Sequence, residues 1–146
     1  MSTKSNEQPR QARLFNQSSQ DDKVLHGDCE NVLAGLPDQL VDMIVTSPPY
    51  FQQRNYSSDD EVGRESTPAE YTERLVRIFR EARRVLKDDG TLWLNLGDKY
   101  KDGEQLGMPW RVALALQDDG WILRSDIIWH KPNDTSAHTS YLVTNC

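Results

Sequence analysis

The chain lacks an excess of positive charge. Its 146 residues hold 17 Lys and Arg against 23 Asp and Glu, a formal net charge of −6. Proteins that grip a duplex unaided carry a basic face. The charge balance therefore argues against tight, autonomous binding to nucleic acid and leaves room only for a small basic groove. Cysteine is scarce as well: Cys29 and Cys146 are far apart and have no metal-ligand spacing. That excludes a disulfide scaffold and a cysteine metal site, and no metal is expected. No apolar run approaches the roughly 20 residues of a membrane span, and no signal peptide is visible. A cytoplasmic protein with free thiols and no membrane partner is the expectation. The length suits one domain with a single core.

What is present centres on Thr46-Ser47-Pro48-Pro49-Tyr50. The apolar run before it, residues 41–45, reads as a short buried strand bounded by a breaker. Neither proline has a backbone N–H, and each fixes φ near about −65°. Ser47 precedes a proline and is pushed toward extended geometry. The loop is therefore stiff, poor in donors and rich in acceptors: the Ser47 hydroxyl and the Ser47, Pro48 and Pro49 carbonyls. With the Tyr50 ring beside them, these acceptors suit a flat ligand that donates N–H bonds, such as the exocyclic amino group of a nucleobase.

Ser47-Pro48-Pro49-Tyr50 resembles the catalytic loop of amino-methylating DNA methyltransferases. The serine form after a threonine is similar to the permuted, cytosine-N4 enzymes of restriction–modification systems. The resemblance runs over residues 24–133. It implies an α/β fold, a partial Rossmann-like methyltransferase sheet in three α/β/α layers. It implies Ser47, Pro48, Pro49 and Tyr50 as catalytic residues, and Asp28, Ser47 and Pro48 as contacts to S-adenosylmethionine. The substrate it implies is DNA, with the target base flipped out of the duplex. Adenine-N6 methylation uses the same loop and is the alternative within the class. A non-catalytic fragment that binds a complementing polypeptide is the alternative outside it. The glutamine methylases of translation factors place a cofactor loop before their proline loop, and nothing before Ser47 resembles one.

The rest of the chain is read in order. Residues 1–20 are polar and read as a disordered tail. Residues 23–28 read as a strand ending at Asp28, which is placed to cap a helix from Cys29 to Leu36. Residues 51–66 read as a polar, mobile loop over the site, with Arg54 a candidate phosphate contact. Thr67, Pro68 and Glu70 spell a helix start with a capping box. Tyr71, Leu75, Ile78, Phe79, Ala82, Val85 and Leu86 follow at helical spacing as one buried stripe. Arg74, Arg77, Arg80, Arg84 and Lys87 fall off that stripe as a solvated face, and Asp89-Gly90 reads as the helix end. Residues 91–96 read as a strand whose tip is Gly97-Asp98. Pro109 opens a helix with Trp110, Ala113, Leu114 and Leu116 apolar, stopped by Gly120. A long strand or bent pair then runs to Trp129, and His130 and Lys131 close it. The alternation predicts a parallel sheet with helices on its faces. Ligands collect at the carboxyl ends of such strands, where Asp28, Ser47 to Tyr50 and Asp98 are all expected.

The resembled family also carries a Phe-x-Gly-x-Gly cofactor loop, and no such run occurs here. In the permuted order that loop, and the module that reads DNA sequence, come later. Residues 21–133 are thus expected to be a partial catalytic domain and 134–146 an atypical C-terminal tail. The chain would be a truncated form or half of a split enzyme, with a complementing C-terminal polypeptide as its partner.

Overall fold

Thr67 and Glu70 start the helix around which the core is built. The Thr67 Oγ1 accepts the Glu70 N–H at 3.2 Å, and Glu70 Oε2 accepts the Thr67 N–H at 3.1 Å. This reciprocal cap, with Pro68 at the first position, opens helix Pro68–Val85. Its buried stripe is Tyr71, Leu75, Ile78, Phe79, Ala82 and Val85, as the spacing predicts. The computed structural model describes residues 22–55, 61–129 and 139–145, the last stretch by its backbone.

In chain order the elements are α1 (Cys29–Ala34), β1 (Val41–Thr46), α2 (Pro68–Val85), β2 (Leu86–Gly97), β3 (Tyr100–Lys101), β4 (Glu104–Gln105), α3 (Met108–Asp118), β5 (Ile122–Trp129) and β6 (Thr139–Asn145). The main sheet has the order β1-β2-β6-β5. Strands β1 and β2 are parallel, whereas β6 runs antiparallel to both of its neighbours. The chain is thus α/β with a mixed sheet, where an all-parallel one was expected. The cause is the connection: a parallel return needs a crossover of about a dozen residues or more, and only residues 130–138 separate β5 from β6. Residues 139–145, expected in a tail beyond the domain, pair along both sides in the middle of the sheet.

Leu92, Leu94 and Leu96 alternate inward from β2 and are buried with α2 and with Met108, Val112 and Leu116 of α3. The opposite face of the same strands is open among the described residues. Met43, Val45 and Trp93 stand exposed there, Val45 at 69%. The two-residue alternation along β1 and β2 puts one residue set in the core and the other outside it.

Several local expectations change. Residues 23–27 form no strand, and Val24 is exposed; among the described residues no strand lies beside them to complete a ladder. Helix α2 stops at Val85, short of Asp89-Gly90, because Leu86 is already extended at ψ 140° and pairs with Val41. In α3, Ala113 and Leu116 are buried, but Trp110 and Leu114 are exposed. The arginine face of α2 is not simply solvated. Arg80 pairs with Asp119 at 2.5 Å and Arg74 with Glu65 at 3.3 Å, while Lys87, which falls on β2, pairs with Asp42 at 2.5 Å. Arg84 binds Asp38 and donates to the Leu36 and Leu33 carbonyls, tying α2 to the segment before β1.

Leu75 is fully buried at the centre of this packing. Leu75→Ala is expected to cost about 2–5 kcal/mol, lost transfer energy plus a cavity. Chemical denaturation of the chain measures it, and a cost under about 1 kcal/mol would contradict this packing.

Candidate active site

Strand β1 delivers Ser47, Pro48, Pro49 and Tyr50 to the carboxyl edge of the sheet. The Ser47 hydroxyl donates to the Tyr50 hydroxyl oxygen at 3.2 Å, which keeps the Ser47 lone pairs available as acceptors. Helix α2 fixes the loop from below: the Tyr71 hydroxyl donates to the Pro49 carbonyl at 2.9 Å. Tyr71 is buried, and burial, followed by the nearby Glu65, pushes its hydroxyl well above the usual phenol range. It therefore stays a donor at any physiological pH. With the Pro49 carbonyl engaged, the acceptors left at the motif are the Ser47 hydroxyl and the Ser47 and Pro48 carbonyls.

Two glycines make the arrangement possible. A Cβ on Gly97 would lie 2.6 Å from Tyr50 Cδ2 and Cε2, so the tyrosine ring rests on bare backbone at the tip of β2. Gly63, at φ +95°, would place a Cβ 2.9 Å from the Tyr50 carbonyl. Only glycine fits at either position without displacing the loop.

The segment after Tyr50, expected to be mobile, is pinned where it is described. Phe51 is buried, its ring 5.6 Å from that of Tyr71. The Gln52 N–H donates to the Gly63 carbonyl at 2.6 Å, and Gln53 Nε2 donates to the Asp98 carbonyl at 2.6 Å. Residues 56–60 lie outside the described residues, as do His130 and Lys131.

Asp98 is committed to structure. Its Oδ1 accepts the Lys99 and Met108 N–H groups at 2.8 and 2.9 Å, and its Oδ2 accepts the Gly107 N–H at 2.9 Å. A strand-tip carboxylate thus caps the start of α3, satisfying donors that a helix cannot. Asp28 takes the cap role at α1, accepting the Asn31 N–H at 3.0 Å. Its side chain lines a polar cavity with Glu30, Asn31, Glu73 and Arg74. A separate apolar groove of about 680 Å³ is lined by Gly27, Cys29, Ser47, Pro48 and Pro49 together with the flank of α2. Two of the three expected strand tips, Ser47–Tyr50 and Gly97–Asp98, therefore meet directly, while Asp28 ends a coil. Partial desolvation, then Asp28 and Glu30, push the Cys29 thiol up, which disfavours a thiolate and any nucleophilic role.

Sequence reasoning missed Tyr71 as part of the site, and it placed Gly97 at a strand tip without foreseeing that the Tyr50 ring lies on it. Tyr71 carried a signal, since a tyrosine within a buried stripe needs a partner for its hydroxyl. The contact of Gly97 with the ring carried none, because the two lie 47 residues apart in sequence. Among the described residues no group of His, Cys, Asp or Glu could hold a metal ion, and no helix is long and apolar enough to cross a membrane.

An open α/β sheet that presents a stiff, acceptor-rich loop at its carboxyl edge has the form of a Rossmann-like ligand-binding domain. The profile of the DNA methylase family of N6 and N4 enzymes matches residues 41–145, and the chain belongs to that family. It is 44% identical to the type II methyltransferase M.Cfr9I of Citrobacter freundii, over 75% of this chain and 46% of that protein. It is 47% identical to M.SfiI of Streptomyces fimbriatus, over 76% of this chain and 30% of the relative. Among solved structures, the PvuII cytosine-N4-specific DNA methyltransferase superposes with a TM-score of 0.68 at 22% identity, covering 82% of this chain and 47% of that one. A Thermus thermophilus protein, TTHA0409, described as a putative DNA modification methylase and solved with S-adenosyl-L-methionine, gives 0.61 at 27% identity, over 82% and 50%. The chain spans about half the length of M.Cfr9I and of both solved proteins.

Proposed function

We propose that this chain carries the transfer site of a DNA methyltransferase of a restriction–modification system, one that methylates the exocyclic N4 of cytosine. The observation that carries the reading is the set of acceptors left at the motif beside the Tyr50 ring, of which the Ser47 hydroxyl and the Pro48 carbonyl are assigned to the amino group. The amino nitrogen of cytosine is a poor nucleophile because its lone pair is delocalised into the ring. Two acceptors aimed at its hydrogens draw it toward a tetrahedral form and stabilise the charge that develops as the methyl group arrives. Tyr50 stacks on the flipped base and aligns it.

S-adenosylmethionine, when bound, supplies the electrophilic methyl group. The groove of about 680 Å³ beside Ser47 and Pro48 falls within the size range of small-molecule sites. Ser47 and Pro48 line it, and Asp28, which lies between the groove-lining Gly27 and Cys29 although it lines the polar cavity, would hold the cofactor's outer edge from the start of α1. Among the described residues β1 is the edge of the sheet, and the exposed Met43, Val45 and Trp93 support the docking of a complementing polypeptide there. An adenine-N6 reading shares the family profile, and the product separates the two. Complement the chain with the remaining half of the Citrobacter freundii relative, and analyse methylated DNA by mass spectrometry. N4-methylcytosine is expected; N6-methyladenine alone would overturn the cytosine assignment while keeping the class.

A further inference from the structure

Just beyond Tyr50 the chain turns back on itself. Gln52 takes a left-handed φ of 50°, a conformation few non-glycine residues adopt, and Gln53 reaches across to the carbonyl of Asp98. The result is a depression of about 400 Å³ lined by Gln52, Gln53, Arg54, Asn55, Arg64 and Lys99. Three of those six side chains are cations, and no carboxylate lines the depression among the described residues. In a chain of net charge −6 this is a local reversal of sign. The floor is built rather than loose. Gln52 Nε2 donates to the Glu65 carbonyl at 3.0 Å, and Lys99 Nζ donates to Gln52 Oε1 at 3.0 Å and to the Gln52 carbonyl at 3.4 Å. An ammonium has three donors, so one remains for an outside acceptor. The Lys99 cation also stands 5.9 Å over the Phe51 ring, which holds it in place. Arg64 faces Glu61 through Nε at 3.9 Å while its side chain stays about half exposed.

The position matters as much as the charge. The depression begins two residues after Tyr50 and ends two residues after Gly97, the glycine on which the Tyr50 ring lies. The Gln53 amide, bound to the Asp98 carbonyl, links the depression to the strand tip on which the Tyr50 ring lies, so the two are neighbours on the same edge of the sheet. We propose that the depression receives a phosphodiester of the target strand next to the extrahelical base, with Arg54, Arg64 and Lys99 as its cations. The inference rests on the reading of Tyr50 as the base-stacking residue. It gives an acidic chain a small basic groove of the kind that phosphate contact requires.

The test uses the complemented enzyme, with the substitutions made in this chain, and a fluorescent duplex whose target cytosine faces an abasic site. Anisotropy titrations over a series of salt concentrations give the slope of log affinity against log salt. Each of Arg54→Gln, Arg64→Gln and Lys99→Gln is expected to reduce that slope by about 1. Arg77→Gln, which lines the separate cavity beside Asp28, is expected to leave it unchanged. A second duplex carries neutral methylphosphonates at the two linkages flanking the cytosine. It is expected to bind the parent enzyme more weakly and the triple variant no differently from the ordinary duplex. Equal losses on both duplexes, a triple variant that binds like the parent, or no salt-dependent binding at about 50 mM salt would each overturn the site. Transfer to adenine in the complementation assay would instead sink the cytosine reading and leave a positive phosphate result standing.

Discussion

Tyr50→Ala is expected to slow methyl transfer by the complemented enzyme roughly 5- to 150-fold. That range corresponds to about 1–3 kcal/mol of lost base stacking. The ring rests on the bare backbone of Gly97 and packs, half-buried, against the edge of the core, so its removal strips the aromatic platform together with some peripheral packing while Leu94 and Leu96 stay buried. Thermal stability of the chain should therefore fall less than for Leu75→Ala. Tyr50→Phe separates the two duties of the residue: it keeps the platform and loses only the contact with the Ser47 hydroxyl. Gly97→Ala attacks the same platform from the other side, since the new methyl group would stand 2.6 Å from the ring carbons. All three variants are measured as single-turnover rates on one duplex. Turnover by Tyr50→Ala equal to that of the parent would remove stacking from the account.

The largest effect is expected of the parent chain alone, which should show no methyl transfer above background. Methyl donor and amino nitrogen must be held in one geometry, and a misplacement of about 1 Å can cost about 10²-fold. The 146 residues contain no Phe-x-Gly-x-Gly run to approach the methionine end of the cofactor. Gly103 and Gly107, the nearest pair of glycines, belong to the β3–β4 hairpin and the start of α3. Calorimetric titration with S-adenosylmethionine, paired with a labelled-methyl assay, tests this. Micromolar binding with sequence-specific transfer by the chain by itself would show that the residues described already make a whole site.

Local signals in the sequence were read correctly where the physics is local. The capping box at Thr67 and Glu70, the stripe from Tyr71 to Val85, and the Asp28 cap all follow from residues within one or two turns of each other. The proline loop is of the same kind, because its stiffness is covalent. The strand expected over residues 23–28 failed for the converse reason: a strand exists only where a neighbour completes its ladder. The antiparallel β6 was hidden likewise, since its pairing with β2 spans about 50 residues and periodicity does not show direction.

The sequence by itself determined the family, the stiff acceptor-rich loop and the helix that underlies it. Tertiary structure decided which acceptors the loop keeps. Pro48 and Pro49 are alike along the chain, yet it is the Pro49 carbonyl that a hydroxyl 22 residues further on engages. It also decided that Asp98 is a cap, because three backbone N–H groups converge on its carboxylate only once the 99–107 loop has closed. Hydrogen bonds between distant residues depend on where the sheet brings them, and that placement is a property of the whole packed core.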